Sequence, residues 1–329
     1  MADPANARSI VADIGGTNTR VALAAGGQLL PGSARRYRNA EFDALEPVLR
    51  RFMEESGTAR AEAACLAMAG PVHDGKGSLT NLDWTLDTHV LADATGAGTV
   101  ALLNDLQAQG YALGHLPAKA LQAIIPGPPP NLRAAQLVVG LGTGFNAAPV
   151  FNTAAGRLVP PSEAGHASLP ARTEDALALS RFITARHGFC SVEDALSGRG
   201  LASIYAYLAD RDGVAGGLDS GRIMALCNAD DAGPEADRAR EALRMFVRLA
   251  GEVCGDLALT LLPFGGVFLI GGMARAVAPH TGAMGFTEAF RDKGRFGPFM
   301  ERFTVTLVSD DDAALMGSAM HLHTLLAQG

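Results

Sequence analysis

The stretch Ile10-Val11-Ala12-Asp13-Ile14-Gly15-Gly16-Thr17-Asn18-Thr19-Arg20-Val21-Ala22-Leu23 constrains this chain more than any other. An apolar run carrying one carboxylate passes through two glycines and several hydroxyl and amide side chains, then resumes as an apolar run. That pattern predicts a β-hairpin with a polar, glycine-rich tip. Gly15 and Gly16 let backbone N–H groups approach an anion closely, and Thr17, Asn18 and Thr19 add donors. Asp13 would be costly to bury unpaired, and a hydrated metal ion would stabilise it. The expectation is a cradle for a nucleotide phosphate and its Mg²⁺, with Asp13 reaching the metal through water.

A second segment echoes the first. Leu137-Val138-Val139-Gly140-Leu141-Gly142-Thr143-Gly144-Phe145-Asn146-Ala147-Ala148-Pro149-Val150 again reads as strand, Gly/Thr tip and strand. The two tips lie too far apart for a solenoid period. Their separation fits two similar α/β domains facing each other across a cleft.

A chain of 329 residues exceeds the usual size of one core, which also favours two domains. With 48% hydrophobic and 19% charged residues it is globular, not disordered. A net charge of −7 leaves no basic footprint for nucleic acid. No apolar run is long enough for a membrane span, and Met1 to Arg8 lacks the apolar core of a signal peptide. Cys65, Cys190, Cys227 and Cys254 have no C-x-x-C spacing, so they read as reduced, mostly buried thiols of a cytoplasmic protein without structural zinc.

Periodicity predicts a helix over 41–56 with Leu45, Val48, Leu49 and Phe52 on one face. It predicts buried strands over 63–71 and 99–103, with a helix beginning at Asn104-Asp105. Pro126-Gly127-Pro128-Pro129-Pro130-Asn131 can be neither helix nor central strand and is expected close to a domain boundary. A helix is expected over 173–187 with Thr173 as its N-cap. A long one follows Pro234 to about 262, stopped by Gly265-Gly266. Val267 to Ile270 reads as a buried strand with Gly271-Gly272 at its carboxyl end, where ligands gather in open α/β sheets. A strand over 303–308 leads to Asp310-Asp311-Asp312, placed to cap a last helix over 313–325.

Two apparent motifs fail on inspection. Gly70 to Lys76 matches the start of a P-loop, but Gly77 stands where the magnesium-binding hydroxyl belongs, and 74–78 reads as a turn. Gly140-Leu141-Gly142 lacks the third glycine of a dinucleotide fingerprint. Three other sites stay open on spacing alone. Asn104-Asp105 can cap a helix, or Asp105 can accept a proton from an attacking hydroxyl. Glu163 and His166 can be surface groups or sugar ligands. Glu193 can be ordinary helix surface.

Taken in order, these residues resemble the bacterial ATP-dependent glucokinase family, within the hexokinase and actin-like ATPase superfamily. The resemblance runs over nearly the whole chain. It rests on Asp13-Ile14-Gly15-Gly16-Thr17-Asn18-Thr19-Arg20, Ala69-Gly70-Pro71-Val72, Thr80-Asn81-Leu82-Asp83-Trp84, Asn104-Asp105, Gly142-Thr143-Gly144 and Glu163-Ala164-Gly165-His166. It continues through Glu193, Leu196-Ser197-Gly198, Gly266 to Gly272, Phe290 to Phe296 and Leu315 to Ala319.

The resemblance implies two RNase H-like domains, 1–110 with 313–329 and 111–312, with glucose and ATP in the cleft between them. It implies that Asn81, Asn104, Glu163, His166 and Glu193 bind sugar hydroxyls and that Asp105 is the general base for the 6-hydroxyl. Asp13, Gly15, Gly16, Thr17, Asn18 and Thr19 would hold phosphate and Mg²⁺, with Gly142, Thr143 and Gly144 as the second phosphate contact. Gly271 and Gly272 would line the adenosine pocket. The expected assembly is a cytoplasmic homodimer. Asn146 and Ala164 depart from the family, which more often has glycine or a small residue there. No cysteine-rich motif follows His166, and no helix-turn-helix segment precedes the first strand, so neither zinc nor repressor function is expected. The competing readings are a kinase of another hexose or amino sugar, and a non-kinase actin-like ATPase.

Overall fold

The computed structural model describes residues 8–79, 82–131, 133–154, 156–229 and 232–328. The chain divides into two compact units. One comprises 1–116, 153–161 and 310–329; the other comprises 117–152 and 162–309. The division falls at 116/117, while the proline-rich 126–131 lies inside the second unit. The assignment of 153–161 to the first unit has no signal in the sequence.

In the first unit, the hairpin expected from the apolar runs forms. Ser9–Ile14 pairs antiparallel with Asn18–Ala25, with Asp13 opposite Arg20. On its other side Ser9–Ile14 runs parallel to Ala63–Met68, which runs parallel to Thr99–Asn104. The registers Ile14↔Met68 and Met68↔Asn104 bring the carboxyl ends of all three parallel strands to one edge. Their apolar side chains, with Phe52 and Trp84, form a closed core. The helix predicted from position 41 starts at Leu45 instead, because Asn39–Glu41 forms a separate 3-10 turn. It ends where Gly57 enters the left-handed region at φ 66°. The would-be P-loop is a tight hairpin: Asp74 (φ 49°) and Gly75 (φ 72°) turn between Val72–His73 and Lys76–Ser78.

The last helix, Ala313–Gln328, packs on Asp105–Ala112 so closely that a Cβ at Gly317 would strike the Ala108 carbonyl. The acidic triplet leads directly into it, the Met316 N–H donating to Asp312 O at 2.9 Å. Asp310 Oδ1 accepts from the Asp312 N–H at 2.9 Å, while the Asp312 carboxylate faces Arg20 at 3.5 Å.

In the second unit the sheet runs Leu121–Ile125, Val305–Val308, Val267–Ile270, Gln136–Leu141, Phe145–Thr153. The second hairpin is antiparallel, and Gln136–Leu141 is parallel to Val267–Ile270. The long helix, Pro234–Leu261, buries Leu243, Phe246, Val247 and Ala250 against it. Truncating Phe246 to Ala there would cost roughly 3–5 kcal/mol. This helix is stopped by Leu262, left-handed at φ 47° and followed by Pro263, not by Gly265-Gly266. Thr173 caps Glu174–His187 as expected, its hydroxyl accepting from the Ala176 N–H at 3.1 Å. Cys65, Cys190 and Cys254 are buried free thiols and Cys227 is half-buried. Burial pushes the Cys65 and Cys254 thiols up to about 12, so neither is a nucleophile at neutral pH. Among the described residues no helix is long and apolar enough to cross a membrane.

Candidate active site

The first unit gathers one set of predicted residues at the carboxyl edge of its parallel strands. The tip Gly15 to Thr17 leaves Ile14, and Gly16 and Thr17 are exposed. Asn39, which the sequence reading missed, holds this tip. Its Nδ2 donates to Gly15 O at 2.7 Å, its backbone N–H donates to Thr17 O at 3.0 Å, and its Oδ1 accepts from the Thr19 hydroxyl at 2.8 Å. Thr19 is fully buried, so its hydroxyl braces the tip and does not face a ligand. That corrects its assignment as a phosphate contact. A lone asparagine 24 residues from Gly15 carries no local pattern that could have flagged it.

Asp13 has a partner that the apolar strand pattern did not reveal. Its Oδ2 is met at 2.6 Å by Arg20, its cross-strand partner. The carboxylate in the strand is therefore paired within the protein, and the premise that burial leaves it unpartnered does not hold. Its side chain remains one-fifth exposed. Among the described residues no three His, Cys, Asp or Glu side chains converge as a metal cage. Mg²⁺ characteristically needs only one or two carboxylates alongside substrate phosphates and water, so a single half-buried Asp at a glycine tip fits it.

At the same edge, Asn104 caps Asp105–Ala112. Its Oδ1 accepts from the Leu106 N–H at 2.9 Å, Gln107 Oε1 accepts from its own N–H at 3.0 Å, and its Nδ2 donates to Gly70 O at 3.1 Å. The capping reading is thus realised by Asn104. Asp105, half-buried in the first turn, is oriented by the Leu106 N–H on its Oδ1 at 2.8 Å. Asn81 lies outside the described residues.

The second unit gathers the rest. Leu141 and Ile270 end parallel neighbouring strands, so the Gly142–Gly144 turn and Gly271–Gly272 are neighbours. Gly271, at φ 102°, lies where a Cβ would strike the Leu141 carbonyl. Gly272 opens a helix with nothing over its Cα, and Thr143 is exposed. These are small, backbone-presenting groups at a sheet edge, suited to a phosphate or a flat ring.

Beside the same turn lie Glu163, His166 and Glu193. Glu163 precedes and His166 ends a single 3-10 turn, with Oε2 and Nε2 at 3.8 Å and both side chains more than half exposed. Gly165 between them is pressed on the Phe145 carbonyl, leaving no room for a side chain. Glu193 is not ordinary helix surface. Its Oε2 accepts from the Phe145 N–H at 2.9 Å, its Oε1 meets Arg199 at 3.0 Å, and its carboxylate lies against Gly144. A cavity of about 560 Å³ elsewhere in this unit, bounded by Thr173, Arg244 and Glu252, includes none of these residues.

A family model described as Glucokinase matches residues 10–325. The chain belongs to the glucokinase family. It is 32% identical over 335 residues to a glucokinase of Nostoc punctiforme, covering 94% of this chain and 97% of that one. A solved glucokinase from an Antarctic psychrotroph superposes with a TM-score of 0.85 at 31% identity, covering 96% and 98% of the two chains. A ROK family glucokinase from Streptomyces griseus, solved with glucose and AMPPNP, superposes at 0.63 with 19% identity over 98% of this chain and all of that one, a likeness of fold alone. The α/β architecture is that of the glucokinase and ROK sugar kinases of the actin-like ATPase fold.

Proposed function

We propose that this chain transfers the γ-phosphoryl group of ATP to the 6-hydroxyl of D-glucose, giving glucose 6-phosphate and ADP. The observation that carries the chemistry is Asp105. It is a half-buried carboxylate at the carboxyl end of a parallel strand, with the Leu106 backbone N–H on its Oδ1, on the sheet edge that also presents Gly15, Gly16 and Thr17. Family membership across 10–325 supports the choice of sugar and nucleotide.

Asp105 takes the proton of the 6-hydroxyl as that oxygen bonds to the γ-phosphorus and the bond to the β,γ-bridging oxygen breaks. Glu163, His166, Glu193, Asn104 and Asn81 bind the other hydroxyls, which both donate and accept. The Gly15 and Gly142 N–H groups close their turns on Asn18 O at 3.0 Å and Gly144 O at 2.9 Å. The turns so formed present the N–H groups of Gly16, Thr143 and Gly144, the Thr17 and Thr143 hydroxyls and Asn18 to the phosphates, while Gly271 and Gly272 border the adenosine. Asp13 would hold Mg²⁺ brought with ATP, and the ion would supply neutralisation of phosphate charge. The reading includes a cytoplasmic homodimer acting on small molecules, not on nucleic acid or membrane. A coupled assay over a panel of hexoses with ATP and Mg²⁺ tests the reaction. Glucose should be the preferred substrate, and ATP turnover without sugar should be negligible. Light scattering on the eluted protein tests the dimer.

A further inference from the structure

Asn146 follows the second turn on the Phe145–Thr153 strand, opposite Gly140. Its side chain leaves the hairpin and spans the loop that carries Glu163. The Nδ2 donates to Ser162 O at 2.6 Å, and the Oδ1 accepts from the Ala164 N–H at 3.0 Å. The same Oδ1 accepts from the Ala147 N–H at 2.8 Å, which fixes the amide on its own strand. One side chain therefore pins the residue before Glu163 and the residue after it. Glu163 itself is held on its backbone carbonyl, which accepts from the His166 N–H at 3.1 Å, while its carboxylate lies 3.8 Å from the exposed His166 ring.

The chemistry of the amide is specific to this task. Pinning both sides of Glu163 needs a donor and an acceptor on adjacent atoms. Aspartate supplies only acceptors, and glycine or alanine supplies neither. A loop residue between two anchored neighbours loses backbone freedom before any ligand arrives, so less ordering remains to be done on binding.

We propose that Asn146 is a positioning residue for sugar recognition, pre-setting the Glu163 carboxylate toward a hydroxyl of the substrate. The proposal rests on the assignment of Glu163 to the sugar. It predicts that Asn146 acts on sugar affinity and not on the nucleotide, although it sits two residues from Gly144 on the phosphate-side turn.

Asn146→Ala and Asn146→Asp test it in the full chain. Hydrogen exchange followed at the Ala164 amide reads the pinning directly. Steady-state kinetics read KM for glucose and ATP separately, and melting temperature monitors the fold. Asn146→Ala should speed exchange at Ala164 and raise the glucose KM about tenfold, the scale of losing its part-buried hydrogen bonds. The ATP KM should move less than about twofold, and kcat should fall less than the glucose KM rises. Asn146→Asp keeps the acceptor for Ala164 and should lie between Ala and the parent, which also covers the case where the alanine variant folds poorly. Unchanged exchange at Ala164, or equal rises in both KM values, overturns the proposal. A parent that fails to phosphorylate glucose overturns the functional assignment instead, and is seen before any variant is compared.

Discussion

The Glu193 carboxylate accepts the Phe145 backbone N–H at 2.9 Å, so a residue expected to touch sugar also holds the turn expected to touch phosphate. The same oxygen occupies the space that a side chain at Gly144 would need. Replacing Glu193 therefore has two separable consequences. Glu193→Gln keeps an oxygen for Phe145 and loses the charge that pairs with the exposed Arg199. It should raise the glucose KM with little change in the ATP KM. Glu193→Ala removes both and should raise both KM values, with a stability loss of about 1–3 kcal/mol for the unpaired N–H. Identical kinetic profiles for the two variants would show that Glu193 does only one of these jobs.

Asp105→Asn is expected to preserve the fold, because the amide oxygen can still accept from the Leu106 N–H. The proton acceptor is lost, so kcat should fall roughly 10²–10⁴-fold. Glucose affinity, measured by calorimetry without ATP, should change little. Turnover near the parent's would remove Asp105 from the mechanism.

The Asp13–Arg20 pair calls for a comparison of two variants. Asp13→Ala leaves the half-buried Arg20 guanidinium facing Asp312 at 3.5 Å, while Arg20→Gln leaves the carboxylate in place. If Asp13 also serves the metal, Asp13→Ala should need far more Mg²⁺ for half-maximal rate, whereas Arg20→Gln should lower the melting temperature and keep the parent's Mg²⁺ curve. Superimposable Mg²⁺ curves for both variants would leave Asp13 with the ion pair alone.

Much of this arrangement is legible in the sequence because it is local. Each hairpin is coded by apolar runs around a Gly/Thr tip, and Val267 to Ile270 is an apolar run bounded by paired glycines. Asn104, Thr173 and the Asp74-Gly75 turn follow short-range capping and turn chemistry. The failures are long-range. Thr19 belongs to Asn39, Glu193 to Phe145 and Asn146 to Ser162, 20, 48 and 16 residues away respectively. No periodicity encodes such partners, and a polar residue at a glycine-rich tip looks the same whether it faces a ligand or braces the loop. Arg20 is the instructive exception. With Ile14 opposite Thr19 across the Gly15–Thr17 tip, the register puts Asp13 opposite Arg20, so their pairing follows from the hairpin itself once cross-strand neighbours are counted.

His321, on the last helix, packs against Tyr111 with ring centroids 4.3 Å apart and planes tilted by 40°. Burial of its imidazole lowers its pKa from 6.5 to about 4. Between those values the unfolded chain binds a proton that the folded chain refuses, so stability falls as pH drops from about 7 toward 4. Above about pH 7 both states hold the neutral ring and the effect vanishes. Carried over the whole window, the shift corresponds to on the order of 3 kcal/mol. His321→Phe keeps a ring against Tyr111 and removes the titration. Carboxylates titrate in the lower half of this range in both proteins, so the informative quantity is the difference between the two melting curves. The parent should lose stability more steeply than His321→Phe between pH 6.5 and 4, and the two should run parallel from pH 7 to 8. Parallel behaviour throughout would mean that the buried ring takes up its proton as readily as an exposed one.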